Sequence, residues 1–226
     1  METILFLHGW GGNEQSFAPI EKYFRVYYNC VFIALPCFQM TDPNSPETPW
    51  TLDDYVNFVV KALDDKNISK CHIVAHSFGA RVAVLLATRQ PERFEKLVLT
   101  GPAGIKKRFS LRLKIKIWFY KLRKKLFGNK VKGGSVDYKS LTDTGKATFQ
   151  NIINRDLRNE ITQINNPTLI IWGENDRAVP RYMVKLWTKL NSNTKLIAYE
   201  NAGHFCFIDN PQRFIIDTKE FINVYL

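Results

Sequence analysis

Ser77 lies in Ala75-His76-Ser77-Phe78-Gly79-Ala80, between an apolar run at 71–75 and a helical pattern from 81 onward. A serine on a sharp strand-to-helix turn is placed to act as a nucleophile. Such a turn leaves no room for large side chains two positions to either side. Ala75 and Gly79 meet that demand, so the segment reads as G-x-S-x-G with alanine for the first glycine. The same pattern alone also suits a serine capping a helix, so its chemistry depends on partners elsewhere. A serine hydroxyl needs an imidazole base, a carboxylate to orient that base, and N–H donors for the oxyanion.

The chain has four histidines, which makes the search short. His204, in Asn201-Ala202-Gly203-His204-Phe205, follows a late apolar run and is the expected base. Asp176, in Trp172-Gly173-Glu174-Asn175-Asp176-Arg177, stands between Ser77 and His204 in the chain and is the expected orienting carboxylate; Glu174 is its rival on the same loop. His8 opens the Gly-rich loop His8-Gly9-Trp10-Gly11-Gly12 after the first apolar run. Glycines there let a backbone N–H face a substrate. The Trp10 and Phe78 amides are the expected oxyanion donors, with the His8 side chain bracing its loop. A dinucleotide site at this loop is excluded by the lack of G-x-G-x-x-G and of an acidic residue ending the next strand. His76, Phe205 and Trp118 are expected to line the substrate pocket, and His72, inside a strand, has no expected chemical role.

Apolar runs at 3–7, 31–34, 71–75, 97–100, 168–172 and 196–199 alternate with helical patterns at 52–64, 81–88, 181–190 and 211–224. That alternation predicts an α/β protein with a mostly parallel sheet of about six strands. The chemistry then falls beyond the C-terminal ends of the strands.

HGWGG, AHSFGA, WGENDRAVP and NAGHF together resemble the four signature segments of the α/β-hydrolase superfamily, in their usual order and over nearly the whole chain outside one insertion. The resemblance is nearest to small carboxylesterases, including the branch that cleaves the methyl ester of a pimeloyl-carrier protein. It implies the α/β-hydrolase fold with a reduced sheet, Ser77 as nucleophile, Asp176 and His204 as its partners, and hydrolysis of a small-molecule ester with no cofactor or metal. Serine at 77 separates the chain from the haloalkane dehalogenase branch, which uses aspartate there. A C–C bond hydrolase with the same triad is the alternative, as is a slow-turnover ligand receptor that retains it.

With 226 residues, 45% of them apolar, the chain is sized for one domain. The expected division is a core of residues 1–104 and 161–226 with a basic helical lid at 105–160. Twelve of the 32 lysines and arginines fall within 105–132, where there is no acidic residue; the remainder holds 20 basic against 21 acidic residues. The net charge of +11 therefore belongs to the insertion. Residues 110–127 read as a helix with two apolar stripes between basic flanks. Such a surface suits a lid over an acyl pocket, an acidic carrier protein or an anionic membrane surface; nucleic acid ranks last. Cys30, Cys37, Cys71 and Cys206 have no metal-type spacing and read as reduced thiols. With no leader or spanning segment apparent, the expected location is the cytoplasm.

Overall fold

A computed structural model describes residues 1–38, 45–106 and 140–223, and the element labels below count the described elements. Six strands form one sheet: β1 (Thr3–Leu7), β2 (Asn29–Ile33), β3 (Cys71–His76), β4 (Phe94–Thr100), β5 (Thr168–Gly173) and β6 (Thr194–Tyr199). Their spatial order is β2-β1-β3-β4-β5-β6, and every pairing is parallel. The expected mostly parallel sheet of about six strands is thus found with six, all of them parallel. Parallel neighbours need crossovers, which the helices supply. These are α1 (Ala18–Phe24), α2 (Leu52–Asp65), α3 (Phe78–Arg89), α4 (Asp143–Asn154), α5 (Arg158–Thr162), α6 (Arg181–Leu190), α7 (Cys206–Asp209) and α8 (Pro211–Asn223).

The strands read as continuous apolar runs because both faces of the sheet are covered. Leu5, Leu7, Ile73, Ala75, Leu97 and Leu99 face one core, shared with Val56 and Val59 of α2 and Trp187 of α6. Ile4, Phe6, Val74 and Val98 face the other, shared with Ile20 and Phe24 of α1 and Phe214 and Phe221 of α8. In α2 the buried residues are Leu52, Tyr55, Val56, Val59 and Leu63, a single stripe at helical spacing. The Thr51 N–H donates to Asp54 Oδ2 at 2.7 Å and fixes where that helix begins.

α1, which the apolar pattern does not predict, is led in by a short 3-10 turn (Glu14–Phe17). Asn13 Oδ1 accepts from the Gln15 N–H at 2.9 Å, and Pro19 opens the helix, so its signal is local capping chemistry rather than periodicity.

Two features anchor the chain between β4 and β5. The Leu157 N–H donates to the Gly104 carbonyl at 3.0 Å. Leu157 and Ile161 are fully buried in the core that holds Trp187. The expected helix at 110–127 lies outside the described residues. Among the described residues no helix is long and apolar enough to cross a membrane, and the four cysteines are buried and form no disulfide.

Candidate active site

The strand register brings the ends of β1, β3, β4 and β5 to one rim. Leu7 pairs with Ala75, His76 with Thr100, and Thr100 with Ile171. Ser77 follows β3 directly and has φ +49° and ψ −104°. A non-glycine residue holds such a conformation only when its surroundings over-determine it. Here the Ser77 N–H donates to the Thr100 carbonyl at 3.0 Å, and the Ser77 carbonyl accepts from the Ala103 and Ala80 N–H groups at 3.1 and 3.2 Å. Gly79 makes the turn possible. A Cβ there would stand 2.3 Å from the Leu7 carbonyl oxygen and 2.8 Å from that of His8, and neither backbone group can yield.

His204 and Asp176 meet across the same rim. The His204 Nδ1–H donates to Asp176 Oδ2 at 2.8 Å. That leaves Nε2 as the basic nitrogen. The Asp176 side chain is fully buried, and its Oδ1 accepts from the Ala178 and Val179 N–H groups at 2.7 and 2.9 Å. Burial alone would raise its pKa. The hydrogen bonds from His204 and Val179, the His204 charge and the Ala178 N–H outweigh that and hold the carboxyl below its ordinary value. Glu174 pairs instead with Arg181 at 3.5 Å near the surface.

Gly101 brings this pair to the serine. It ends β4 at φ +51°, and a Cβ there would lie 2.8 Å from His204 Nδ1. The imidazole thus rests on the residue after Thr100, whose carbonyl holds the Ser77 N–H. On the other side, a Cβ at Gly9 would lie 3.5 Å from the Ser77 Cβ, so the Gly-rich loop also abuts the serine. The Trp10 ring meets that of Phe78 edge-on at 5.3 Å, which places the two expected oxyanion residues side by side. Phe78 opens α3, where N–H groups lack intrahelical acceptors.

His8 braces its loop. Its Nδ1–H donates to the Gly9 carbonyl at 2.7 Å, and its Nε2 accepts from the Leu35 N–H at 2.8 Å. Its pKa is lowered by burial against the bond to Gly9, so the ring stays neutral. His76 is buried, and its Nε2–H donates to the His204 carbonyl at 3.1 Å. Burial, then the nearby His204, pushes its pKa down to about 3. It is therefore a neutral strut for the His204 loop. Phe205 is exposed, with its ring 4.7 Å from that of His76 and 5.4 Å from that of His204. Trp118 lies outside the described residues.

Sequence reasoning did not single out Gly101, Gly173 or Arg81. A Cβ at Gly173 would stand 2.2 Å from the Gly203 carbonyl oxygen, so only glycine lets the His204 loop cross the end of β5. Arg81, one turn into α3, is buried and donates to the Ile152 and Arg155 carbonyls at 3.0 and 2.8 Å. It ties the nucleophile helix to the C-terminal end of α4. The signal for it is a cation set among the apolar residues of the first two turns of α3. Burial, moderated by Asp156, lowers its pKa to about 10, so it stays charged near neutrality. Beside the rim is a cleft of about 280 Å³ lined by Arg81, Ala103, Ile105, Ile153, Val179 and Met183.

The alpha/beta hydrolase family matches residues 4–218. The chain belongs to that family. Among alpha/beta hydrolase relatives, a pimeloyl-[acyl-carrier protein] methyl ester esterase of Shewanella woodyi is 25% identical, over 99% of this chain and 95% of its own. A 2-hydroxy-6-oxononadienedioate/2-hydroxy-6-oxononatrienedioate hydrolase of Pseudomonas putida is 27% identical, over 96% of this chain and 87% of its own. Among solved structures, a membrane phospholipase A described as a bacterial virulence factor superposes with a TM-score of 0.79. It is 18% identical, over 99% of this chain and 79% of its own. That likeness is one of fold.

Proposed function

We propose that this alpha/beta hydrolase is a serine hydrolase that cleaves a carboxylic ester through an acyl-enzyme. The observation that supports this most is the 2.8 Å His204–Asp176 pair resting on Gly101, one residue beyond the carbonyl that holds the strained Ser77. Ser77 Oγ attacks the acyl carbon, and His204 Nε2 takes the hydroxyl proton. Asp176 stabilises the resulting imidazolium. The Trp10 and Phe78 N–H groups receive the oxyanion. The proton passes from His204 to the departing alcohol, and water, deprotonated by the same imidazole, releases the acid. The cleft beside Ala103 and Val179 has a largely apolar lining, which suits an acyl chain.

A fluorophosphonate probe tests the reading. The expected result is one probe per chain on the peptide containing Ser77, with parallel loss of turnover on p-nitrophenyl esters. Labelling elsewhere, or turnover that survives full labelling, rejects it.

Cleavage of a C–C bond is the second reading, favoured by the Pseudomonas putida relative. Its named substrate is a keto diacid with no ester to hydrolyse. A panel of esters and vinylogous diketones separates the two by their relative kcat/KM.

The basic stretch at 105–132 is part of the proposal, as a docking element for an anionic partner, either an acidic carrier protein or an anionic membrane. Neutralising Lys121, Arg123, Lys124 and Lys125 is expected to weaken binding to anionic vesicles or to acidic carrier protein by about tenfold at low salt. Co-sedimentation and titration with each partner distinguish the two. Unchanged binding to both assigns these charges to solubility.

A further inference from the structure

At the end of the sheet remote from Ser77, three potential ligand groups meet. His72 is the second residue of β3 and pairs in register with Ile4 of β1. Glu2 precedes β1, and Glu95 lies in β4 beside the register shift between Cys71 and Ile73. Such irregularities re-aim side chains.

His72 is only 3% exposed, and neither of its ring nitrogens has a hydrogen-bond partner among the described residues. Its Nε2 faces Glu95 Oε2 at 3.6 Å and Glu2 Oε2 at 3.7 Å. Both gaps are too long for a hydrogen bond. One ligand atom from each residue lies within 4.8 Å of the others. Donors around a tetrahedral Zn²⁺ stand about 3.4 Å apart. The two gaps to His72 exceed that by a few tenths of an ångström, and the two glutamate side chains, each 39% exposed, have the freedom to draw their own oxygens together.

We propose that Glu2, His72 and Glu95 form a divalent transition-metal site, best matched to Zn²⁺ with water completing the shell. One imidazole with two carboxylates disfavours Mg²⁺ and Ca²⁺, which take oxygen ligands. Two lysines stand near the three groups. Lys70 approaches only the other oxygen of Glu95, at 3.8 Å, and Lys96 donates to the Ile222 carbonyl. Burial lowers the His72 pKa, Glu95 and Glu2 work against that, and Lys96 adds to it. Five residues of extended strand separate His72 from Ser77, about 16 Å. The ion is therefore structural, clamping β1, β3 and β4 at their N-terminal ends.

Calorimetric titration of the chelator-treated full chain with Zn²⁺ is the test, with thermal unfolding alongside. One Zn²⁺ per chain, a Tm rise of about 4 °C or more, and unchanged ester turnover are expected. Because His72 is buried, the deciding variant is the surface double substitution Glu2→Gln with Glu95→Gln. It is expected to weaken Zn²⁺ binding by about a hundredfold. A His204→Ala variant is expected to bind as the wild type does, which separates this site from the imidazole at the opposite rim. Three results overturn the proposal: no stoichiometric uptake at micromolar Zn²⁺, equal uptake by the double variant, or a metal-free Tm that rises on acidification through the imidazole range. The last would show a charged His72 paired directly with the two carboxylates.

Discussion

Ser77→Ala is expected to lower kcat for p-nitrophenyl esters by about a million-fold while leaving KM nearly unchanged. The hydroxyl makes and breaks the covalent bond, and nothing else at the rim can replace it. The fold is expected to persist, because the backbone at 77 is held by its bonds to Thr100, Ala103 and Ala80 rather than by the side chain. Ser77→Gly gives an independent readout. At φ +49° and ψ −104° a side chain is strained, and glycine is not. That variant is expected to be equally inactive yet more stable than Ser77→Ala by about 1 kcal/mol. Denaturant midpoints compare the two. Equal stability would show that the turn costs nothing, and residual turnover would remove Ser77 from the chemistry.

Asp176→Asn is expected to lower kcat by about 10⁴-fold. The carboxylate now accepts the His204 Nδ1–H at 2.8 Å. A carboxamide can present its N–H₂ to that nitrogen instead and leave Nε2 protonated, the wrong tautomer for a base. Stability should follow pH in a defined direction. The folded pKa of Asp176 is depressed, so its contribution is present above the unfolded value of about 3.9 and is lost as pH falls through the folded value. The wild type's advantage over Asp176→Asn is therefore expected at neutral pH and should shrink in acid. An advantage that grows in acid would contradict the assigned hydrogen bonds. Unchanged kcat would leave His204 without need of its carboxylate.

Much of this architecture is legible in the residues. Six apolar runs mark six strands, because a sheet covered on both faces needs no alternation. The order Ser77, Asp176, His204 is likewise visible; of the two carboxylates on that loop, Asp176 meets the imidazole and Glu174 pairs with Arg181. Helix α1 was hidden because a seven-residue helix shows barely two turns of periodicity. The roles of Gly101 and Gly173 were hidden for another reason. Each is defined by a carbonyl or imidazole more than 25 positions away in the chain, and strand register alone brings them together. His76 shows the same limit: its position beside the serine is plain, whereas its bond to the His204 carbonyl depends on the path of a distant loop.

The hydrogen bond from Leu157 to Gly104 closes a loop of some fifty residues at its neck. The loop is held again through α4, where the Ile152 and Arg155 carbonyls accept from Arg81, so the part whose length is free to vary is the segment ahead of α4. Doubling its length adds only about 0.6 kcal/mol of closure entropy. Selection, or an engineer, is thus free to exchange the contents of that segment for a new clientele while the nucleophile's turn stays as it is.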